Sequence, residues 1–137
     1  MQLAVTDTHP LLHYASVRHK ALGDKALKVF QNADRRDGSA LIQIPAIVLI
    51  ECFLQIQAGK VKIPDDYEKW VKSLEKHEFF RIQPMTLEEV IRASNLTTIV
   101  DPFDRMIVAS AQEAGYPLIT KDTKITESSI VEVIWDE

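Results

Sequence analysis

The chain has 137 residues, 46% of them apolar and 26% charged, with a formal net charge of -4. That is the size of one compact domain with a real core, and too apolar and too weakly charged for a disordered chain. Four glycines and six prolines exclude collagen-like and low-complexity classes, the single Cys52 excludes an intramolecular disulfide and a cysteine zinc cluster, and the acidic balance argues against a general polyanion binder.

The opening Met1-Gln2-Leu3-Ala4-Val5-Thr6-Asp7 has no basic stretch and carries an acid early, so it does not read as a secretory signal. Leu3-Ala4-Val5-Thr6 is a short buried strand that stops at Asp7. A helix follows through residues 10–15, with proline tolerated in its first turn. Residues 21–36 place Ala21, Leu22, Ala26, Leu27, Val29, Phe30 and Ala33 at helical spacing and stop at Asp37-Gly38. Leu41-Ile42-Gln43-Ile44 is a second strand, after which Pro45 opens an apolar helix over 46–57, closed by Gly59. The longest apolar run, 44–54, is interrupted by Pro45 and Glu51 and is far short of the ~20 residues of a membrane span. No membrane association is expected, and the natural setting is the reducing cytoplasm.

A third helix runs from Asp65 or Asp66 to about His77, with Tyr67, Trp70, Val71 and Leu74 on its apolar side. Phe79-Phe80-Arg81-Ile82 is a short strand, and Thr86-Leu87-Glu88-Glu89 carries a capping-box pattern that starts a short helix. Asp101-Pro102-Phe103-Asp104 starts another helix that reaches Gly115. Pro117-Leu118-Ile119-Thr120 is a strand ending near Asp122, and residues 130–135 form a last one. Strands thus alternate with helices throughout. The expected fold is α/β: one domain over 1–137 with a short, mostly parallel central sheet flanked by helices on both faces. Sites in such sheets form outside the carboxyl ends of the strands, which places Asp7 and Asp122 on one rim.

Glu51 is the most informative acid. Its same-face helical neighbours are Ile47, Val48, Leu54 and Gln55, so its carboxylate is at least partly withdrawn from water. That is costly unless it is paired, protonated or bound to a cation. An arginine or backbone groups satisfying it and a cation-binding role are equally open on this residue alone. Asp7 reads by itself as a helix cap and Asp122 as a turn residue. Asp101 is a good N-cap with proline at the first helical position, and Asp104 then falls at the third, where the helix dipole favours an acid. Brought together, acids from four elements would make an oxygen-only cluster suited to magnesium or manganese. Without a cation, their repulsion would raise at least one carboxyl pKa.

The ordered set Val5-Thr6-Asp7-Thr8-His9, Ile50-Glu51, Asp101-Pro102-Phe103-Asp104-Arg105-Met106-Ile107-Val108-Ala109 and Leu118-Ile119-Thr120-Lys121-Asp122 resembles the PIN-domain ribonucleases, and most closely their VapC-type toxin branch. The resemblance spans almost the whole chain. It implies a PIN-like fold and a magnesium- or manganese-dependent endoribonuclease that cuts single-stranded or looped RNA. The implied catalytic and metal-binding acids are Asp7, Glu51, Asp104 and Asp122, with Thr120 and Asp101 in support. His9 stands where the family often has asparagine or serine. The resemblance further implies a homodimer held inactive by an antitoxin protein.

Arg105 and Lys121 flank these acids and are the candidates for RNA phosphate contact, local charge balance being their alternative role. The basic residues Arg18, His19, Lys20, Lys25, Lys28, Arg35 and Arg36 read mostly as solvated helix face. The four histidines show no zinc-binding spacing, Cys52 reads as a buried structural thiol, and Trp70, Phe79 and Phe80 read as core. No glycine-rich phosphate loop is present. Two competing functions remain. A catalytically inactive PIN-like domain that binds RNA or protein would keep the fold without the chemistry. A receiver-type signalling domain fits poorly, for want of a phosphoacceptor aspartate after a central strand.

Overall fold

The computed structural model describes residues 1–136; Glu137, the last residue of the expected domain, lies outside them. Five strands form one sheet in the order β3-β2-β1-β4-β5, with every neighbouring pair parallel. The strands are β1 (Gln2–Thr6), β2 (Ala40–Pro45), β3 (Phe80–Gln83), β4 (Leu118–Ile119) and β5 (Val133–Ile134). Among the described residues the α-helices are α1 (Thr8–Ala15), α2 (Asp24–Asp34), α3 (Ala46–Gln57), α4 (Tyr67–Lys76), α5 (Leu87–Ser94), α6 (Pro102–Ala114) and α7 (Thr123–Ser128). All six residues of β2 are buried, as a strand covered on both faces requires. Phe30, Leu11, Leu12, Ile42, Ile44 and Ile107 are among the largest fully buried side chains of the core that joins the layers. No helix among the described residues is long and apolar enough to cross a membrane.

The expected α/β architecture is therefore the observed one, with four local corrections. The helix expected over 21–36 begins only at Asp24. His19–Ala21 closes a single 3-10 turn, and Gly23 is the N-cap of α2 without any side-chain cap. The chain's far end supplies what α2 lacks: the Trp135 carbonyl accepts from Ala26 N–H at 2.9 Å and Asp136 Oδ1 from Asp24 N–H at 3.1 Å. This places an acid at the positive end of the helix, where it is favourable. A Cβ at residue 23 would lie 2.6 Å from the Trp135 carbonyl oxygen, so only glycine admits the approach. Gly23→Ala is expected to cost about 1–3 kcal/mol, the range for forcing extra atoms into packed structure. Thermal melting checks this, and an unshifted midpoint would contradict it.

The other corrections lie near the carboxyl end. The strands expected over 117–120 and 130–135 pair over only two residues each. Asp122 is not a turn residue: it caps α7, accepting from Lys124 N–H at 2.8 Å and Ile125 N–H at 3.1 Å. A helix of six residues with only Ile125 buried gives no periodic signal to read. The readings of Trp70, Phe79 and Phe80 hold, since all three pack in or against the core.

Candidate active site

The strand order creates the site. From β1 the chain proceeds to β2 on one side, while β4 lies on the other, so the order reverses between β1 and β4. A crevice opens at the carboxyl ends of such a pair. Asp7 and Thr120 are the residues that directly follow these two strands. Thr120 is fully buried, and its hydroxyl donates to Asp7 Oδ2 at 2.7 Å while accepting from Asp122 N–H at 3.1 Å. One side chain thereby ties the first acid to the last.

On the other side of Asp7, the backbone N–H of Thr8 donates to Asp7 Oδ1 at 2.7 Å, and the Thr8 hydroxyl donates to Glu51 Oε1 at 2.6 Å. A chain of hydrogen bonds thus runs from Asp122 through Thr120, Asp7 and Thr8 to Glu51, joining four elements. Among the described residues Glu51 finds neither an arginine nor backbone groups; the Thr8 hydroxyl is its partner. Thr8 went unremarked in sequence, although two signals pointed to it. A glutamate in an apolar helix requires a donor, and a hydroxyl directly after the first acid shares its rim.

Asp101 does what its spacing predicts. It is exposed and caps α6, accepting from Phe103 N–H at 2.7 Å and Asp104 N–H at 3.2 Å. Asp104, third in α6, is partly buried, and its carboxyl has no hydrogen-bond partner among the described residues. Burial, then the charges of Asp7, Asp101, Asp122 and Glu51, push that carboxyl up to about 7. The favourable dipole of α6 is therefore outweighed. Burial likewise raises Asp7, against the lowering effect of the Thr120 and Thr8 hydrogen bonds, and it raises Glu51 against that of Thr8. Exposed His9 lowers both through its charge.

Cations are scarce around these acids. Among the described residues the ion pairs all lie elsewhere. Arg105 donates its Nε–H to the Ile99 carbonyl, which pins the segment before α6, while Lys121 is exposed on the rim. Cys52, beside Glu51, is fully buried, and burial pushes its thiol up to about 12, which makes it inert as a nucleophile. No three His, Cys, Asp or Glu side chains among the described residues stand in a ready-made metal cage. The donor set is nonetheless all oxygen and carries an excess of negative charge. It suits a hard cation that keeps several waters and takes only one or two carboxylates directly.

The PIN-domain family model matches residues 4–129. The chain belongs to the PIN-domain family. No curated protein matches it by sequence. Among solved structures, a chain of VapBC2 from Rickettsia felis, bound to a promoter DNA fragment, shares the PIN-domain fold with a TM-score of 0.68 at 20% identity, covering 98% of this chain and 100% of that one. A DNA-bound VapBC chain from Salmonella typhimurium gives 0.64 at 19%, covering 99% and 98%. VapC20 from Mycobacterium tuberculosis, described as a sarcin-ricin loop cleaving toxin, gives 0.66 at 13%, covering 95% and 98%. At these identities the likeness is one of fold. In this PIN domain Asp7 and Thr120 directly follow β1 and β4, the pair at which the strand order reverses.

Proposed function

We propose that this PIN domain is a divalent-metal-dependent endoribonuclease, the toxin of a VapBC-type pair, and that Asp7, Glu51, Asp104 and Asp122 are its catalytic metal ligands. The observation that carries the reading is Asp104: a partly buried carboxyl, without a hydrogen-bond partner among the described residues, lifted to about 7 by burial and by acids from four other positions. Acids held together at such a cost are characteristic of functional sites rather than of scaffolding. The fold shared with VapC-type toxins supports the same reading, since one of them is named as a cleaving toxin.

Magnesium or manganese bound there would supply an activated water and offset charge on the phosphodiester. The chain's own part is positional. Thr120 holds Asp7 and Asp122 at a fixed separation, Thr8 orients Glu51, and the Asp101 cap fixes the first turn of α6 from which Asp104 projects. Lys121 and Arg105 are the residues this reading assigns to RNA phosphates. Antitoxin binding and homodimer formation belong to the same proposal. Exposed Ile50 and Leu54 on α3, and Leu87, Val90 and Ile91 on α5, offer apolar surface for protein partners.

The test is cleavage of single-stranded and stem-loop RNA with magnesium or manganese, with and without chelator. Cleavage that the chelator stops supports the proposal. RNA left intact under every metal condition sinks it and leaves the inactive binding domain. Thr120→Val keeps the shape of the buried side chain and removes both of its hydrogen bonds. It is expected to weaken manganese binding by roughly 10–100-fold, the cost of losing a partner that orients ligands. Calorimetric titration measures this, and an unchanged affinity would remove Thr120 from the site.

A further inference from the structure

A cavity with several polar groups in its wall lies away from the acids of the proposed active site. It has a volume of about 280 Å³ and sits among β2, β3, α5 and α6; none of Asp7, Glu51, Asp104 and Asp122 lines it. Its walls are unusual for the interior. Gln43, Glu89 and Ser110 all line it, with exposures of 7%, 5% and 2%. Buried polar groups are normally paired. Here the pairing is incomplete on the cavity side. Gln43 Nε2 donates to Gln83 Oε1 at 2.6 Å, which leaves the Gln43 amide oxygen for the cavity. Glu89 Oε1 accepts from Thr86 N–H at 3.2 Å, which leaves its second oxygen. The Ser110 hydroxyl has no partner among the described residues, although serines elsewhere in the fold bond back to their own helices.

The charge around the cavity is one-sided. Glu88, Glu89 and Glu113 line it, and Arg92 neutralises only Glu113, through Nε–H at 2.7 Å. Among the described residues Glu88 and Glu89 have no ion-pair partner. The volume is many times that of one water, whose share of the liquid is about 30 Å³, so a bare ion would rattle. Acceptors on several walls, net negative charge and a partly buried lining call for a cation with several donors and weak hydration. Guanidinium has these properties, whereas an ammonium is more strongly hydrated.

We infer that this cavity is a binding site for a guanidinium group, with Glu89, Gln43 and Ser110 as its acceptors. The group could be carried by a small free molecule or by an arginine of a partner polypeptide. The experiment is a two-dimensional 15N-1H NMR titration of the full chain at constant ionic strength. Methylguanidinium is the probe, free arginine and doubly blocked N-acetyl-arginine amide are the two source arms, and tetramethylammonium is the charge-only control. Saturable shifts of the Gln43 and Gln83 side-chain amides are expected with methylguanidinium and not with tetramethylammonium. If blocked arginine binds as well as the free amino acid, the ligand is a polypeptide side chain; if only free arginine binds, it is a free molecule.

Glu89→Gln removes the charge but preserves the reciprocal cap with Thr86, because glutamine also serves there. It is expected to weaken binding by about tenfold or more, the scale for losing a charged acceptor. Ser110→Ala weakens it severalfold, and Asp104→Asn leaves it unchanged. Shifts that do not saturate, that tetramethylammonium reproduces, or that vanish in Asp104→Asn and persist in Glu89→Gln would overturn the inference. The Asp104→Asn arm separates this site from the proposed nuclease centre, so either assignment can fail alone.

Discussion

Asp104→Asn is expected to abolish RNA cleavage and, at the same time, to raise the melting temperature of the metal-free protein near pH 8. The two effects have one origin. Asp104 is the carboxyl on which burial and four neighbouring acids converge, and no side chain in the described residues bonds to it. Asparagine has nearly the same shape, donates no charge to that repulsion, and holds a hard cation poorly. Losing a direct ligand should exceed the roughly 10–100-fold typical of an orienting partner, so a fall in cleavage rate of more than about a hundredfold is expected. A gain in stability with a loss of function is the usual trade at a strained site. Cleavage assays and melting curves on the same sample check both halves. A variant that cleaves as well as the parent rejects the assignment, and one that melts lower rejects the electrostatic account of Asp104.

The second large effect is a reversal of pH dependence by metal. Asp104, Glu51 and Asp7 all have carboxyls raised above their ordinary values in the folded chain. The folded state therefore holds these protons more tightly than the unfolded one. The stability they contribute is fully present below the ordinary carboxylate range and is lost as pH rises, for Asp104 through about 7. Metal-free protein should thus melt progressively lower from pH about 4 to about 7 on account of these groups. Manganese competes with the protons, so its binding strengthens over the same window. At a concentration a hundred times its dissociation constant it would add about 2.7 kcal/mol of stability by mass action. Melting curves across this range, with chelator or with manganese, should therefore diverge as pH rises. Parallel curves would mean that the acids do not share a cation.

How far the sequence carried the fold can be seen element by element. The apolar helix expected over 46–57 is α3 to the residue, because Pro45 and Gly59 punctuate both ends. The Thr86–Glu89 capping box forms with both of its hydrogen bonds, since that motif is a purely local chemical fit. The start of α2 was not legible, because it is set by contact with Trp135 and Asp136, more than a hundred residues away. The lengths of β4 and β5, and α7 altogether, escaped because two-residue strands and a six-residue helix are too short to show periodicity.

The candidate site divides in the same way. Asp7 and Asp122 were placed on one rim because each follows a strand of a parallel sheet, and Asp101 as a cap by the proline after it. Thr120 was expected to support the site, but the long-range partners themselves were hidden. Thr8 meets Glu51 from 43 residues away, and Thr120 meets Asp7 from 113. Arg105 was read as a phosphate contact or as local charge balance; that its Nε–H also binds the Ile99 carbonyl is a use no spacing rule announces.

The most direct test of the central claim is a carbon-detected NMR titration of the Asp104 carboxyl, with and without magnesium. The account predicts a midpoint near 7 in the metal-free protein, moving to lower pH when magnesium is added. A midpoint in the ordinary aspartate range that magnesium does not move would contradict it.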